Sequence, residues 1–443
     1  MKEEEGKKKM SEEIKFEVEQ RRYIKPSIAT PPHLQIFKLS LLDQLFPNIH
    51  GNITFFFPHT LPHFSTKSQL LQTSLSHTLT RFYPLAGNLH SATTLHCNDV
   101  GALFIQSHTN TSLSDILKAP NFHTLQCLLP STDNQTSTNA AMLLLVRFTS
   151  FRCGGTAVTI SLSHKIADIA AVIALLKTWT AACAGETPTR DPELAAGAAL
   201  FPPRELPAPA VTASINTASS ENFTSRRFVF EASKVKALKK RIGEGCAFEP
   251  SRVEVVLALI WKCALSASRS ETAPFKRSVL FQAVNLRPRM EPAVADGALG
   301  NFVWPFAVTV EEEAQLELQV MVKRMRESMR EFVESKAEKL KEDGGFGVVM
   351  ESLKERGEVM KKNSVVYKCS SWCRFPLGEV DFGWGEAVWA CSVNKMVSNT
   401  IALMDTRDGG VEAFVTLDHH HMLLFQQHHH LLHYALLNPS VIL

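Results

Sequence analysis

Thr156-Ala-Val-Thr-Ile-Ser-Leu-Ser-His164-Lys-Ile-Ala-Asp168-Ile-Ala-Ala-Val-Ile-Ala-Leu-Leu-Lys-Thr-Trp179 changes its period halfway along. Val158, Ile160 and Leu162 lie two apart with Thr159, Ser161 and Ser163 between them, which is the alternation of a half-buried strand. Ile169, Val172, Ile173 and Leu176 then recur at helical spacing and lead on to Trp179. His164 keeps the parity of the apolar face, so its imidazole is expected to point inward at the strand's end and Ser163 to face away. An imidazole there can take a proton from an alcohol near neutral pH, because its ordinary pKa lies close to that range. Asp168 follows in the first helical turn, where the helix dipole favours a carboxylate. A buried histidine bonded to a backbone carbonyl accounts for the same pattern, and the segment alone leaves both readings open.

A chain of 443 residues exceeds the size at which a single core stops growing, so two domains are expected. With 45% hydrophobic and 21% charged residues the composition is that of a soluble globular protein. A formal charge of +3 gives no reason to expect nucleic acid or an acidic membrane as partner, though it leaves room for a local basic patch. Nine cysteines, scattered and without a Cys-x-x-Cys pair, fit reduced thiols in a cytosolic protein. The opening run MKEEEGKKKMSEE reads as a solvated tail rather than a secretory signal or a nuclear address. No apolar run approaches the ~20 residues of a membrane span, so a soluble, cytoplasmic protein is expected.

The spacing predicts a strand from Phe16 to Ile24, a short strand at 54–57 and a helix at 70–79, broken by Tyr83-Pro-Leu-Ala-Gly87. Strands at 99–105 and 142–148 are expected to pair with 156–163. Residues 185–222 hold six prolines and little periodicity, as an interdomain crossover does. Beyond it come a strand at 227–230, a basic helix at 233–241, and Ser251-x-x-Glu254, which has the spacing of a capping box ahead of an apolar helix through Trp261. A strand at 277–284, a long amphipathic helix at 315–341, strands and loops from 360 to 416, and a closing helix from about 422 complete the reading. The division is a tail at 1–15, a domain at 16–184, a crossover at 185–224 and a domain at 225–443. The fold class is α/β, with two domains of mixed sheet flanked by helices.

Asp381-Phe-Gly-Trp-Gly385 begins like a kinase signature, but no Gly-rich phosphate loop, lysine strand or His-Arg-Asp loop precedes it. Gly383 and Gly385 around Trp384 suggest a tight structural turn instead. Together, His164-x-x-x-Asp168 and Asp381-Phe-Gly-Trp-Gly385, in this order and in a chain of this length, resemble the paired signatures of the plant BAHD acyltransferase family. Tyr83-Pro-Leu-Ala-Gly87 and Leu436-Leu-Asn-Pro-Ser440 extend the resemblance over all but the charged tail. Leu39-Ser-Leu-Leu-Asp43, Gln282-Ala-Val-Asn-Leu-Arg-Pro-Arg289 and Ser370-Ser-Trp-Cys-Arg374 are similar to the acetyl-transferring branch. Leu299-Gly-Asn-Phe302 departs from the Phe-Gly-Asn-Cys of malonyl-transferring members, and Ile169 stands where many members have glycine.

The resemblance implies two domains like chloramphenicol acetyltransferase, with the active site in a channel between them. Acyl-CoA, acetyl-CoA above all, would serve as co-substrate and a small-molecule alcohol as acceptor, with no permanently bound cofactor. His164 would be the general base for direct attack without an acyl-enzyme. Asp168 either orients that imidazole, as in a hydrolytic triad, or turns away; the resemblance favours the second, in a buried pair with Arg287. Ser370 and Trp372 would face the oxyanion with Asn301 close by. Trp384 would be structural, and Asp381 would anchor its turn through a salt bridge. Ser251, Arg289 and the lysines 234, 236 and 239 are candidates for the phosphates of coenzyme A. The histidine tracts at 419–421 and 428–430 carry no second set of ligands, so no metal is expected. A benzoyl-type donor, a non-catalytic binding homologue and a hydrolase are the alternatives. The family is typically monomeric.

Overall fold

The computed structural model describes residues 14–131, 142–187, 190–206, 222–269, 274–337, 339–340, 345–393 and 397–442. Residues 1–13 of the expected tail and, within the expected crossover, residues 188–189 and 207–221 lie outside these residues. In chain order the strands are β1 (Phe16–Ile24), β2 (Ile36–Lys38), β3 (His50–Phe57), β4 (Asn88–Leu89), β5 (Thr94–His96), β6 (Ala102–Thr109), β7 (Leu144–Phe151) and β8 (Thr156–Ser163). They continue with β9 (Phe223–Phe230), β10 (Ser278–Asn285), β11 (Val303–Val310), β12 (Val365–Ser371), β13 (Trp389–Cys391), β14 (Thr400–Asp405), β15 (Val411–Asp418) and β16 (Leu436–Leu437).

Two large mixed sheets result, ordered β1-β6-β7-β8-β3-β13 and β11-β10-β12-β14-β15-β9-β16, with β2, β5 and β4 in a small third sheet. The strand expected near 99–105 does not reach β8. It runs antiparallel to β1 and parallel to β7, because β7 and β3 already occupy both edges of β8. Apolar helices cover one face of each sheet. The helices Phe64–Arg81 and Ile169–Cys183 lie in the first core with Leu71, Leu75, Leu176 and Trp179, and Arg252–Ala267 buries Val255, Ile260 and Trp261 in the second. The helix expected at 315–341 ends at Phe332 and widens into a π turn, Val333–Ala337. Phe332 and Ala337 are both buried, and a π turn brings residues five apart toward one face where an α turn would not. The closing helix is two short ones, His419–Phe425 and His429–Tyr434.

Residues from the second half complete the first sheet. β13 pairs antiparallel with β3, and Phe382, Trp384 and Trp389 belong to the first core. On the facing side, Ala402 (β14) and Phe414 (β15) pack against that same core, so one face of the second sheet looks at the first. The two sheets are fastened by a buried cluster. Trp389 Nε1 donates to Glu412 Oε1 and Oε2 at 3.2 Å each, Arg227 Nη2 donates to Glu412 Oε2 at 3.2 Å, and the Arg227 guanidinium lies 5.1 Å over the Trp389 ring. Glu412→Ala strands a buried guanidinium, and a loss of about 3–5 kcal/mol is expected. Urea unfolding followed by tryptophan fluorescence measures it, with Glu412→Gln expected to lose less.

Candidate active site

β8 ends at Ser163, and the next residue begins the site. His164 N donates to Ile49 O at 2.7 Å, which joins the strand's end to the loop entering β3. Its ring stacks on Phe46, with centroids 4.4 Å apart and planes 11° apart. Nδ1 lies 3.0 Å from Asn301 Oδ1. The orientation of that amide follows from its other partners: Nδ2 donates to Asp43 Oδ1 at 2.8 Å and to His164 O at 2.9 Å. Oδ1 can therefore only accept, which places a proton on Nδ1 and leaves the Nε2 lone pair free. Burial lowers the pKa of His164 from its usual value, against the opposing pull of a backbone hydrogen bond, Asp168 and Asn301.

Asp43 was not singled out among the candidate site residues, yet it holds Asn301. Ser40 and Asp43 form a capping box on the helix Leu41–Gln44, with Ser40 N and Oγ donating to Asp43 Oδ2 at 3.0 and 2.6 Å. Oδ1 accepts from Asn301 N at 2.7 Å as well as from the amide. The carboxyl is 2% exposed, and burial raises its pKa despite these four donors. Lys165 Nζ donates to Gln44 O and Phe46 O, each at 2.9 Å, and so fixes the loop that presents Phe46. The Ser-x-x-Asp spacing is local, whereas the bond from Asp43 to Asn301 spans 258 residues and leaves no mark in the sequence around either.

Asp168 turns away from the imidazole. Oδ1 caps the helix Ile169–Cys183 through Ala171 N at 3.0 Å, and Oδ2 accepts from Arg287 Nη1 at 2.7 Å and Phe302 N at 2.9 Å. Arg287 is fully buried and also donates through Nη2 to Ala298 O at 2.9 Å and Gly300 O at 3.3 Å. The pair thus clasps the turn that carries Asn301. Gly300 has φ +130°, where a side chain is strained, and a Cβ there would meet Phe302 and Asp43.

Two expectations, those for Trp372 and Asp381, are corrected. Asn301 spends both amide hydrogens on Asp43 and His164, so it has none for an oxyanion. The Trp372 indole donates to Ser370 Oγ at 3.1 Å, which leaves the Ser370 hydroxyl hydrogen as the outward donor of that pair. Asp381 anchors its turn through backbone amides, with Oδ1 accepting from Gly383, Trp384 and Gly385 at 2.7, 3.0 and 2.9 Å; no cation among the described residues pairs with it. Trp384 packs edge-on against Phe57 at 5.8 Å, within the first core.

Ser251 caps Arg252–Ala267 as expected, exchanging bonds with Glu254. Arg252 bridges to Asp405, whose carboxylate also accepts from Arg374 N, and burial, with like charge from Arg374 adding to it, lowers the pKa of Arg289. Ser251 and Arg289 thus share one end of the second sheet. Lys239 is paired with Glu249 at 2.7 Å, while Lys234 and Lys236 are exposed. Among the described residues no group of His, Cys, Asp and Glu is placed to hold a metal, and no helix is long and apolar enough to cross a membrane.

Removing the Arg287 side chain leaves Asp168 buried without its cation and frees the 298–302 turn. Arg287→Ala is expected to lose about 3–5 kcal/mol, measured by urea unfolding. Asp43→Ala is expected to lower kcat at least tenfold with little change in KM, because it loosens Asn301 rather than a substrate contact; steady-state kinetics separate the two.

The sequence model of the Transferase family matches residues 14–432. BAHD acyltransferase BIA1 of Arabidopsis thaliana is 34% identical, over 97% of this chain and 100% of its own. Stemmadenine O-acetyltransferase of Catharanthus roseus is 33% identical, over 89% of this chain and 92% of its own. The crystal structure of vinorine synthase, an enzyme of Rauvolfia serpentina, matches with a TM-score of 0.83 at 31% identity, covering 96% of this chain and 99% of that one. Family model, relatives and architecture agree along nearly the whole length, and the chain belongs to the BAHD acyltransferases.

Proposed function

We propose that His164 is the general base for transfer of an acyl group, acetyl in the first instance, from acyl-CoA to a hydroxyl of a small plant metabolite. The observation that carries this reading is the 3.0 Å bond between His164 Nδ1 and Asn301 Oδ1, which keeps the lone pair on Nε2. Nε2 takes the hydroxyl proton of the acceptor as its oxygen attacks the thioester carbonyl. The carbonyl oxygen gains the charge and accepts from the Ser370 hydroxyl, oriented by Trp372. Collapse breaks the carbon–sulfur bond, and the leaving thiolate takes the proton back from the imidazolium, so an ester and free CoA result. Asn301 Oδ1 and the face of Phe46 favour that imidazolium while it lasts. Asp168 and Arg287 hold the frame.

Ser251 and Arg289 support binding of the coenzyme A phosphates at their end of the sheet, with Lys236 and Lys239 on the neighbouring helix at the entrance. The acetyl preference rests on relatives whose names state acetyl transfer. Two domains joined at residues 185–224, working as a cytoplasmic monomer on diffusing substrates, complete the reading; the nine unbridged thiols are in keeping with it.

Thiol release with acetyl-CoA and a panel of alcohols tests the function. Release is expected only when an acceptor is present; release without one overturns direct attack in favour of hydrolysis. His164→Ala is expected to lose roughly 10²–10⁴-fold in kcat, and a variant with full rate overturns the role of the imidazole. Because burial lowers the pKa of His164, the free base persists below the ordinary value. The acid limb of kcat/KM is therefore expected below about pH 6.5, with activity lost as pH falls through that limb.

A further inference from the structure

Three consecutive residues, at and just beyond the end of β8, grip one loop. Ser163 Oγ donates to Asn48 Oδ1 at 3.1 Å, and His164 N donates to Ile49 O at 2.7 Å. Lys165 Nζ donates to Gln44 O and Phe46 O at 2.9 Å each. Ser163 Oγ also accepts from Lys165 N at 3.2 Å, which ties these holds to one another. From the other end, Phe46 N donates back to Asp43 O at 3.1 Å, so the loop continues the capped helix Leu41–Gln44. The Phe46 ring is thereby fixed relative to the imidazole by bonds from the base's own neighbours.

With planes 11° apart and centroids 4.4 Å apart, the phenyl covers one face of the imidazole. Nδ1 is taken by Asn301, so a nucleophile meets the base at Nε2, beside that apolar wall. The alternative to transfer is hydrolysis. A water oxygen attacks the thioester carbonyl while Nε2 takes one of its protons. The carbon–sulfur bond then breaks and the thiolate takes that proton back, leaving a carboxylic acid and free CoA. A water at Nε2 keeps a second O–H, to which a phenyl wall offers no oxygen or nitrogen acceptor. An alcohol has carbon in that place, and carbon packs against the ring. An unmade hydrogen bond in a confined site disfavours water by about tenfold or more relative to the alcohol.

We propose that Phe46, clamped against His164 by Lys165, makes the site choose an alcohol over water as the nucleophile. The inference rests on His164 being the base for acyl transfer, and it goes further by naming the residue that suppresses hydrolysis. Phe46 acts on the attacking group directly; Lys165 is a positioning residue that acts through it. Lys165 is 6% exposed, and an ammonium held so far from water is costly unless its hydrogens find partners. Two of them find carbonyls of the loop, one of which is that of Phe46 itself.

The test uses the full-length protein and acetyl-CoA, with benzyl alcohol and cyclohexanol as probe acceptors. Thiol release is measured with and without alcohol, and esters are detected by mass spectrometry. Phe46→Asn puts a hydrogen-bonding group where the wall is apolar. Its acceptor-independent release is expected to rise about tenfold or more over the wild-type background, whereas Phe46→Leu is expected to stay within about threefold of it. Adding His164→Ala to Phe46→Asn is expected to abolish the gain. Lys165→Met is expected to move in the direction of Phe46→Asn, and Lys165→Arg to stay near the wild type. Damage to the fold does not produce a gain of this kind, so Phe46→Asn decides the matter even if Lys165→Met does not fold. Unchanged or reduced release in Phe46→Asn, or an equal rise in Phe46→Leu, overturns the proposal. A His164-dependent rise with no ester formed from any alcohol of the wider panel would instead count against the transfer reading. It would leave Phe46 as the wall that holds water off the base.

Discussion

The ion pair between Asp168 and Arg287 is the constraint around which the site is organised. One partner caps a helix behind the first sheet, and the other leaves the end of β10 in the second. Neither meets bulk solvent, so each depends on the other and on neighbouring backbone groups for its hydrogen bonds. Those backbone groups belong to residues 298–302, the turn that presents Asn301. A charge pair set at the junction of two sheets thereby determines where an amide stands, and the amide determines which nitrogen of His164 holds the proton. The imidazole receives that order, while the carbonyl of His164 helps to hold the amide.

A second buried carboxylate works toward the same end by other means. No cation among the described residues forms a salt bridge with Asp43, which is satisfied by two neutral donors from each of Ser40 and Asn301. A carboxylate in that setting is a rigid acceptor rather than an acid in use. Together Asp43 from one side and Arg287 from the other leave the Gly300–Asn301 turn little freedom, which is what the general base proposed for His164 would require.

Much of this was legible in the chain. The two-residue and helical periods around His164 are physical signals, and β8 with its following helix stands where they place it. The Ser251 cap was readable because its partners are three residues apart. Asp43 as a site residue and the inward donors of Asn301 were not readable, since their partners are far apart in sequence and meet only through folding. Phe46 escaped for a related reason: a lone aromatic in a loop has no period, and its ring faces an imidazole only because Lys165 holds two carbonyls of that loop. The long helix was misjudged past Phe332 because a mixed-charge amphipathic run continues through the π turn, and composition alone carries no mark of a change in pitch.

The strand exchange at β13 bears on how the molecule comes into being. The first sheet uses residues 16–163 for five of its strands and waits for residues 389–391 for the sixth. During synthesis the edge of β3 therefore stays unpaired until most of the chain has left the ribosome, and the aromatic cluster around Trp384 and Trp389 cannot close before then. An N-terminal piece that ends before β13 exposes the edge of β3, and an unpaired strand edge is a template for pairing with another chain.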